Sequence, residues 1–326
     1  MNLIQVGLIG TGYAAKLRAE AFHADERSRL VAVAGHTLDR TQSFAETYSA
    51  TVVETWEELV MRSDIDLVVI AAVNQEHGRM TRAALEAGKH VVVEYPLSLD
   101  VSEAEELIQL AASQQRLLHV EHIELLSGIH TAIQSALPHI GTPFHVRYSS
   151  LNPQRPAPPK WTYQSELFGF PFIGAVSRIH RLTDLFGSVA AVSCQTQFWR
   201  REQSSPFFQS CICAAQLRFT SGLIAEVNYG KGEAIWQAVR SLEVQGELGA
   251  IVIDREQGSL IQAEQTTPLE MGSRRGLFAR DTVMVLDHLE NQVPLYVSPA
   301  ASVAALRVAD AARRSAETGQ TIDLAS

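Results

Sequence analysis

Residues 4–9 form an unbroken apolar run that stops at Gly10-Thr11-Gly12-Tyr13-Ala14-Ala15, and a helical spacing of apolar positions takes over through residues 16–22. Shorter apolar runs, rich in β-branched residues, recur at 30–34, 67–72, 91–93 and 117–120. Helical patterns at 39–48, one ending near 87–88 and one at 101–115 separate them. Strands that alternate with helices of this length need crossover connections, so the first third of the chain reads as a doubly wound parallel sheet. The texture then changes. Residues 152–159 hold four prolines in eight positions, and 211–219, 223–229 and 241–245 alternate in the manner of antiparallel strands. Helical spacing returns at 171–186, 278–289 and 300–317. The expected class is α/β, with a doubly wound domain over residues 1–121. An α+β domain with a large, mainly antiparallel open sheet follows over 122–326, its C-terminal helices being candidates to pack back on the first.

Composition narrows the function classes. The chain has 326 residues, 46% hydrophobic and 19% charged, enough for two cores. A formal charge of −9 argues against a nucleic-acid partner, which needs a basic face. Three cysteines cannot complete a disulfide framework or a structural zinc site. The chain enters a strand at once, with no basic segment and cleavage site ahead of it, and no run reaches the length of a membrane span. A cytoplasmic protein with no membrane partner is expected, as a monomer or homodimer.

The glycine turn carries the first chemistry. Gly10-x-Gly12-x-x-Ala15 between a strand and a helix is the dinucleotide fingerprint of a Rossmann domain. Gly10 permits the turn, Gly12 lets the backbone approach a pyrophosphate, and Ala15 lets the helix pack closely, with Thr11, Tyr13 and Ala14 completing the contact. An NAD site places an acid at the tip of the second strand, but here the tip reads Gly35-His36-Thr37. His36, Thr37 and Arg40 offer donors to a 2′-phosphate, with Arg18 a further candidate, so NADPH is expected ahead of NADH. Ala72, Asn74 and His77 follow the C-terminal edge of another strand, where such sheets bind ligands, and Glu94 ends the next.

The runs Val69-Ile70-Ala71-Ala72-Val73-Asn74-Gln75-Glu76-His77 and Ala87-Gly88-Lys89-His90-Val91-Val92-Val93-Glu94-Tyr95-Pro96 resemble the glucose-fructose oxidoreductase/inositol dehydrogenase superfamily. Members that oxidise sugars carry Glu-Lys-Pro, and the lysine works with an Asp and a His of the second domain. This chain has Tyr95 at the lysine position, and Ile173 and Ser177 where that Asp and His would fall. Glu94-Tyr95-Pro96, Leu118-His119-Val120-Glu121-His122, Phe168-Gly169-Phe170-Pro171 and Tyr229-Gly230-Lys231-Gly232-Glu233 look instead like the biliverdin reductase branch, notably its cyanobacterial members.

That resemblance implies NADPH-dependent reduction of biliverdin to bilirubin, with hydride delivered to the C10 methine and a proton to a pyrrole nitrogen. Arg178, Glu94 and Tyr95 are then the catalytic candidates. Tyr95, His122, Arg178, Arg181, Lys231 and Arg274 are the candidate substrate contacts. Gly174, Arg178, Arg181 and Leu185 share one face of the helix expected at 171–186. His119 and His122 have strand spacing that sends them to opposite faces, so no metal is expected. Two other readings stay open: an NADP-dependent sugar or polyol dehydrogenase with an altered proton relay, and a nicotinamide-binding sensor without turnover.

Overall fold

The computed structural model describes residues 3–202, 204–273 and 275–324. The chain divides into two compact units, Met1–Ile123 with Arg275–Val303, and Glu124–Arg274 with Ala304–Ser326.

In the first unit, strands β1 (Ile4–Ile9), β2 (Ser28–Ala34), β3 (Thr51–Val52), β4 (Leu67–Ile70), β5 (His90–Val93) and β6 (Leu118–Val120) alternate with helices. These are α1 (Tyr13–Ala24), α2 (Leu38–Tyr48), α3 (Trp56–Met61), α4 (His77–Glu86) and α5 (Val101–Ser113). The strands pair in parallel in the order β3-β2-β1-β4-β5-β6. All four residues of β4 are buried, as expected of a strand covered on both faces. The order reverses between β1 and β4, which opens a crevice at their C-terminal ends.

In the second unit come α6 (Gly128–Ala136), β7 (Pro143–Pro153), α7 (Ser165–Phe168), α8 (Pro171–Gly174) and α9 (Ser177–Phe186). Strands β8 (Val189–Trp199), β9 (Ser210–Phe219), β10 (Ile224–Gly232), β11 (Val239–Gly246), β12 (Gly249–Asp254), β13 (Gln257–Gln262) and β14 (Gln265–Leu269) follow. Helices α10 (Leu277–Asn291) and α11 (Pro299–Thr318) and strand β15 (Ile322–Asp323) complete the chain. The nine-stranded sheet runs β14-β13-β12-β11-β7-β10-β9-β8-β15, antiparallel except for the β7–β10 pair. The expected fold class holds: a parallel Rossmann-type sheet, then a mixed, mainly antiparallel one.

Alternation along the strands gives this sheet one buried face, with Val146, Tyr148, Leu217 and Val227. Helix α8 packs on β9 and β10, and α6 on β12 and β13. Residues of the opposite face, such as Arg147 and Gln216, are exposed.

The single helix expected at 171–186 is two helices, with the chain bent at Ala175-Val176. Gly174 lies against the Phe168 carbonyl and ring, where a Cβ would come within 2.5 Å of the oxygen. That tertiary contact overrides the helical spacing. Helix α10 groups with the first unit and packs along α1, its Val285 and Leu286 joining the core of Val6, Leu8, Phe22 and Val33. Among the described residues no helix is long and apolar enough to cross a membrane.

Candidate active site

The glycine turn sits at the crevice between β1 and β4. Gly10 has φ +119°, and a Cβ there would fall 2.2 Å from the Ala71 carbonyl oxygen, so only glycine fits. Its N–H donates to the Ala34 carbonyl, tying the turn to β2. Gly12 is the N-cap of α1, and a Cβ there would meet nothing within 4 Å. Ala15 is fully buried under the turn, while Thr11 and Ala14 are half-buried and Tyr13 is 80% exposed. The geometry provides amide donors, the positive end of a helix and open space before them, which fits a nucleotide pyrophosphate. His36, Thr37 and Arg40 are all exposed just beyond β2. The Thr37 carbonyl accepts from the backbone and hydroxyl of Thr41, which fixes the tip of the strand.

Arg18 is a correction. It is wholly buried and binds carboxylates rather than reaching toward a phosphate. Its Nε donates to Glu94 Oε1 at 3.0 Å and its Nη1 pairs with Asp281. Asp281 also accepts from His119 Nε2 at 2.8 Å and from the Tyr296 hydroxyl at 2.7 Å. Asp281 stays well below the ordinary carboxylate range because the charges of Arg18 and His119 outweigh its burial. Glu121, buried beside Glu94 and hydrogen-bonded to it, moves the other way, chiefly through burial and then through the charge of Glu94. The two carboxyls that follow β5 and β6 therefore form a hydrogen-bonded pair, with Glu94 anchored by Arg18.

His77 is 1% exposed and held inside the fold. Its Nδ1 lies 2.8 Å from the Pro96 carbonyl and its Nε2 3.2 Å from that of Ala72. Burial lowers its pKa, so the neutral ring bridges two loop ends as a strut. Asn74 is likewise buried, in the turn before α4, and Ala72 is half-buried.

Tyr95 is half-buried and stacks on His122, with ring centroids 5.5 Å apart and planes 9° from parallel. His122, expected to touch substrate, is fully buried with Nε2 2.8 Å from the Ser302 hydroxyl. It backs the Tyr95 ring.

In the second unit Arg178 is half-buried, donates to the Ser177 hydroxyl at 2.9 Å and lies 5.5 Å from the centroid of the Tyr229 ring. Ile173 and Ser177, at the positions of the sugar-oxidising relay, are buried. Arg181 is buried, with Nη2 2.8 Å from Glu124. Lys231 is buried, its amine donating to the Thr162 carbonyl and lying 3.7 Å from the Phe168 ring centroid. Burial pushes its pKa down to about 8, and it serves packing. Arg274 lies outside the described residues.

A small solvent-open cleft brings Arg178 and Arg181 together with Arg240 and Arg255. The last two were missed, because each reads in sequence as an isolated surface charge. The signal was available only as alternation: Ser150 pairs with Arg240 and Tyr148 with Leu242, and Leu242 pairs with Ile253, two residues before Arg255. That alternation puts both arginines on the face that carries Tyr148.

Residues 4–122 match the model of an oxidoreductase family with an NAD-binding Rossmann fold, and residues 138–324 match that of its C-terminal α/β domain. The chain is 47% identical to biliverdin reductase of Synechocystis sp. PCC 6803, solved in complex with biliverdin and NADP+. The two superpose with a TM-score of 0.94 over 96% of this chain and 99% of that one. Mouse biliverdin reductase A is 28% identical over 198 residues, 61% of this chain and 63% of the mouse protein. The human protein is 31% identical over 147 residues, 45% of this chain and 47% of its own length. The alignments thus span less than two thirds of these curated relatives.

Proposed function

This chain belongs to the oxidoreductase family that joins an NAD-binding Rossmann fold to a C-terminal α/β domain, and we propose that it is an NADPH-dependent reductase converting biliverdin to bilirubin. The observation that carries the reading is the 47% identity, over 96% of the chain, to a biliverdin reductase solved with both ligands. The residues suit the chemistry. Gly10 and Gly12 leave backbone and space for the pyrophosphate, and exposed His36, Thr37 and Arg40 supply donors for the 2′-phosphate.

When bound, the nucleotide would supply the hydride for the C10 methine carbon. Reduction at carbon creates no alkoxide, so the chain has no hydroxyl proton to remove, and a tyrosine, an isoleucine and a serine suffice where sugar oxidation needs a base. Tyr95, held flat by His122, offers an aromatic surface to a conjugated ligand. Arg178 stays protonated and acts by stabilising the negative charge that develops before a pyrrole nitrogen is protonated. Glu94, fixed by Arg18, is the side chain that would border the nicotinamide.

The test is absorbance spectroscopy of purified protein mixed with NADPH and biliverdin, beside reactions with NADP and glucose or inositol. The expected result is enzyme-dependent loss of the green pigment and growth of the yellow one. Polyol-dependent NADPH formation without bilin turnover would overturn the reading in favour of dehydrogenase chemistry, and silence in both arms in favour of a sensor.

A further inference from the structure

We propose that Arg18 and Asp281 are positioning residues for Glu94: Arg18 orients the Glu94 carboxylate, and Asp281 cancels the Arg18 charge so that the charge of Glu94 is left to act on the nicotinamide. The inference rests on the nucleotide-binding part of the reductase reading and adds to it two buried residues.

Glu94 stands in a row along the crevice. Ile9 pairs with Ile70, Ile70 with Val93 and Val93 with Val120, so Gly10, Ala71, Glu94 and Glu121 are the next residues across the C-terminal edge of the sheet. The N–H groups of Ala71, Glu94 and Glu121 donate to the carbonyls of Ile9, Ile70 and Val93, which fixes the row. Two strand spacings set the Glu94 backbone about 10 Å from the glycine turn along this edge.

Three carboxyls gather around Arg18, and one of them is open to the crevice. Glu121 is 1% exposed and Asp281 wholly buried, whereas the Glu94 side chain keeps 13% of its surface. A glutamate has three rotatable bonds, so its carboxylate is fixed only by what it binds. Arg18 Nε donates to it from α1 at 3.0 Å, and Glu121, whose burial favours its protonated form, shares a hydrogen bond with it. Arg18 alone would cancel the charge it orients. Its Nη1, however, pairs with Asp281, whose carboxylate is pinned by His119 Nε2 at 2.8 Å and by the Tyr296 hydroxyl at 2.7 Å. Both members of the Arg18–Asp281 pair are fully buried, so each charge is met at close range with little screening. Arg18 Nη2 has no partner among the described residues, so Nε alone ties the guanidinium to Glu94 and its placement falls to Asp281.

A nicotinamide ring is neutral when reduced and positively charged once it has given up a hydride. A carboxylate held toward it favours the oxidised form and the transition state that leads there.

The experiment measures dissociation constants of NADP+ and NADPH by titration calorimetry, and kcat and KM with biliverdin. The proteins are the full chain, Glu94→Gln, Asp281→Asn and the double variant Arg18→Met with Asp281→Asn, with folding checked by circular dichroism. Asp281→Asn should raise the ratio of the NADP+ to the NADPH dissociation constant roughly three- to tenfold, as Glu94→Gln does, and lower kcat by a similar factor at an unchanged biliverdin KM. The double variant removes both charges of the pair, so the ratio should return to that of the unmodified chain while kcat stays low, because Glu94 is no longer held. A shifted ratio in Glu94→Gln beside an unmoved one in Asp281→Asn would leave Asp281 a merely structural role and overturn the inference. Where Asp281→Asn does not fold, the double variant decides: kcat at the unmodified level would overturn the inference. An unmoved ratio in Glu94→Gln would overturn the place of Glu94 beside the nicotinamide and the inference with it. Absence of bilin turnover by the unmodified chain would overturn the bilin-reductase reading alone, since the ratio is measured without bilin.

Discussion

Arg18 shows how far a single side chain can be misjudged from its neighbours in sequence. It follows the glycine turn by two helical turns, a natural place for a phosphate contact, yet its partners Glu94 and Asp281 stand 76 and 263 positions away. No local pattern could reveal them. The glycine turn itself was legible, because Gly10, Gly12 and Ala15 act through backbone geometry that six adjacent residues determine. Removing the Arg18 charge would strand two carboxylates in a buried site. Arg18→Met should therefore lower stability by about 3–5 kcal/mol, read as a shift in the urea midpoint at unchanged m-value. A change within experimental error would mean that water already screens the pair.

Among the elements, those of the parallel sheet could be read from the chain because their signals are local: buried β-branched runs, helical spacing and capping residues such as Asp100 ahead of α5. The division of residues 171–186 into α8 and α9 could not, since the cause is Phe168 pressed against Gly174. A Cβ on Gly174 would lie 2.5 Å from the Phe168 carbonyl oxygen and 2.6 Å from its ring. Helix propensity alone would make Gly174→Ala stabilising. The crowding decides otherwise, and the variant should lose about 1–3 kcal/mol, seen as a melting temperature lowered by several degrees. An unchanged or higher melting temperature would show that α7 can move aside. The cationic cleft was half legible: Arg178 and Arg181 stand out on one helix, whereas Arg240 and Arg255 join them only through strand pairing.

For the molecule as a whole, buried titratable groups set the dependence of stability on pH. Burial holds His180 at about 4, against an ordinary value near 6.5, with Asp184 raising it slightly and His130 opposing. Between those values the unfolded chain binds a proton that the folded chain refuses. Stability contributed by this group is intact above pH 6.5 and falls as pH drops toward 4, by up to about 3 kcal/mol. Urea midpoints measured across that window should slope less steeply for His180→Gln; equal slopes would place the proton uptake elsewhere. The path of the chain carries one more consequence. The first unit's core includes Val285 and Leu286, although its sheet is complete at residue 120. During synthesis at roughly 5–20 residues per second, the nascent nucleotide-binding sheet waits for α10 while β7 to β14 of the second sheet are translated. Its α1 face then stays without its α10 cover for roughly ten to thirty seconds, an apolar surface open to misassembly in that interval.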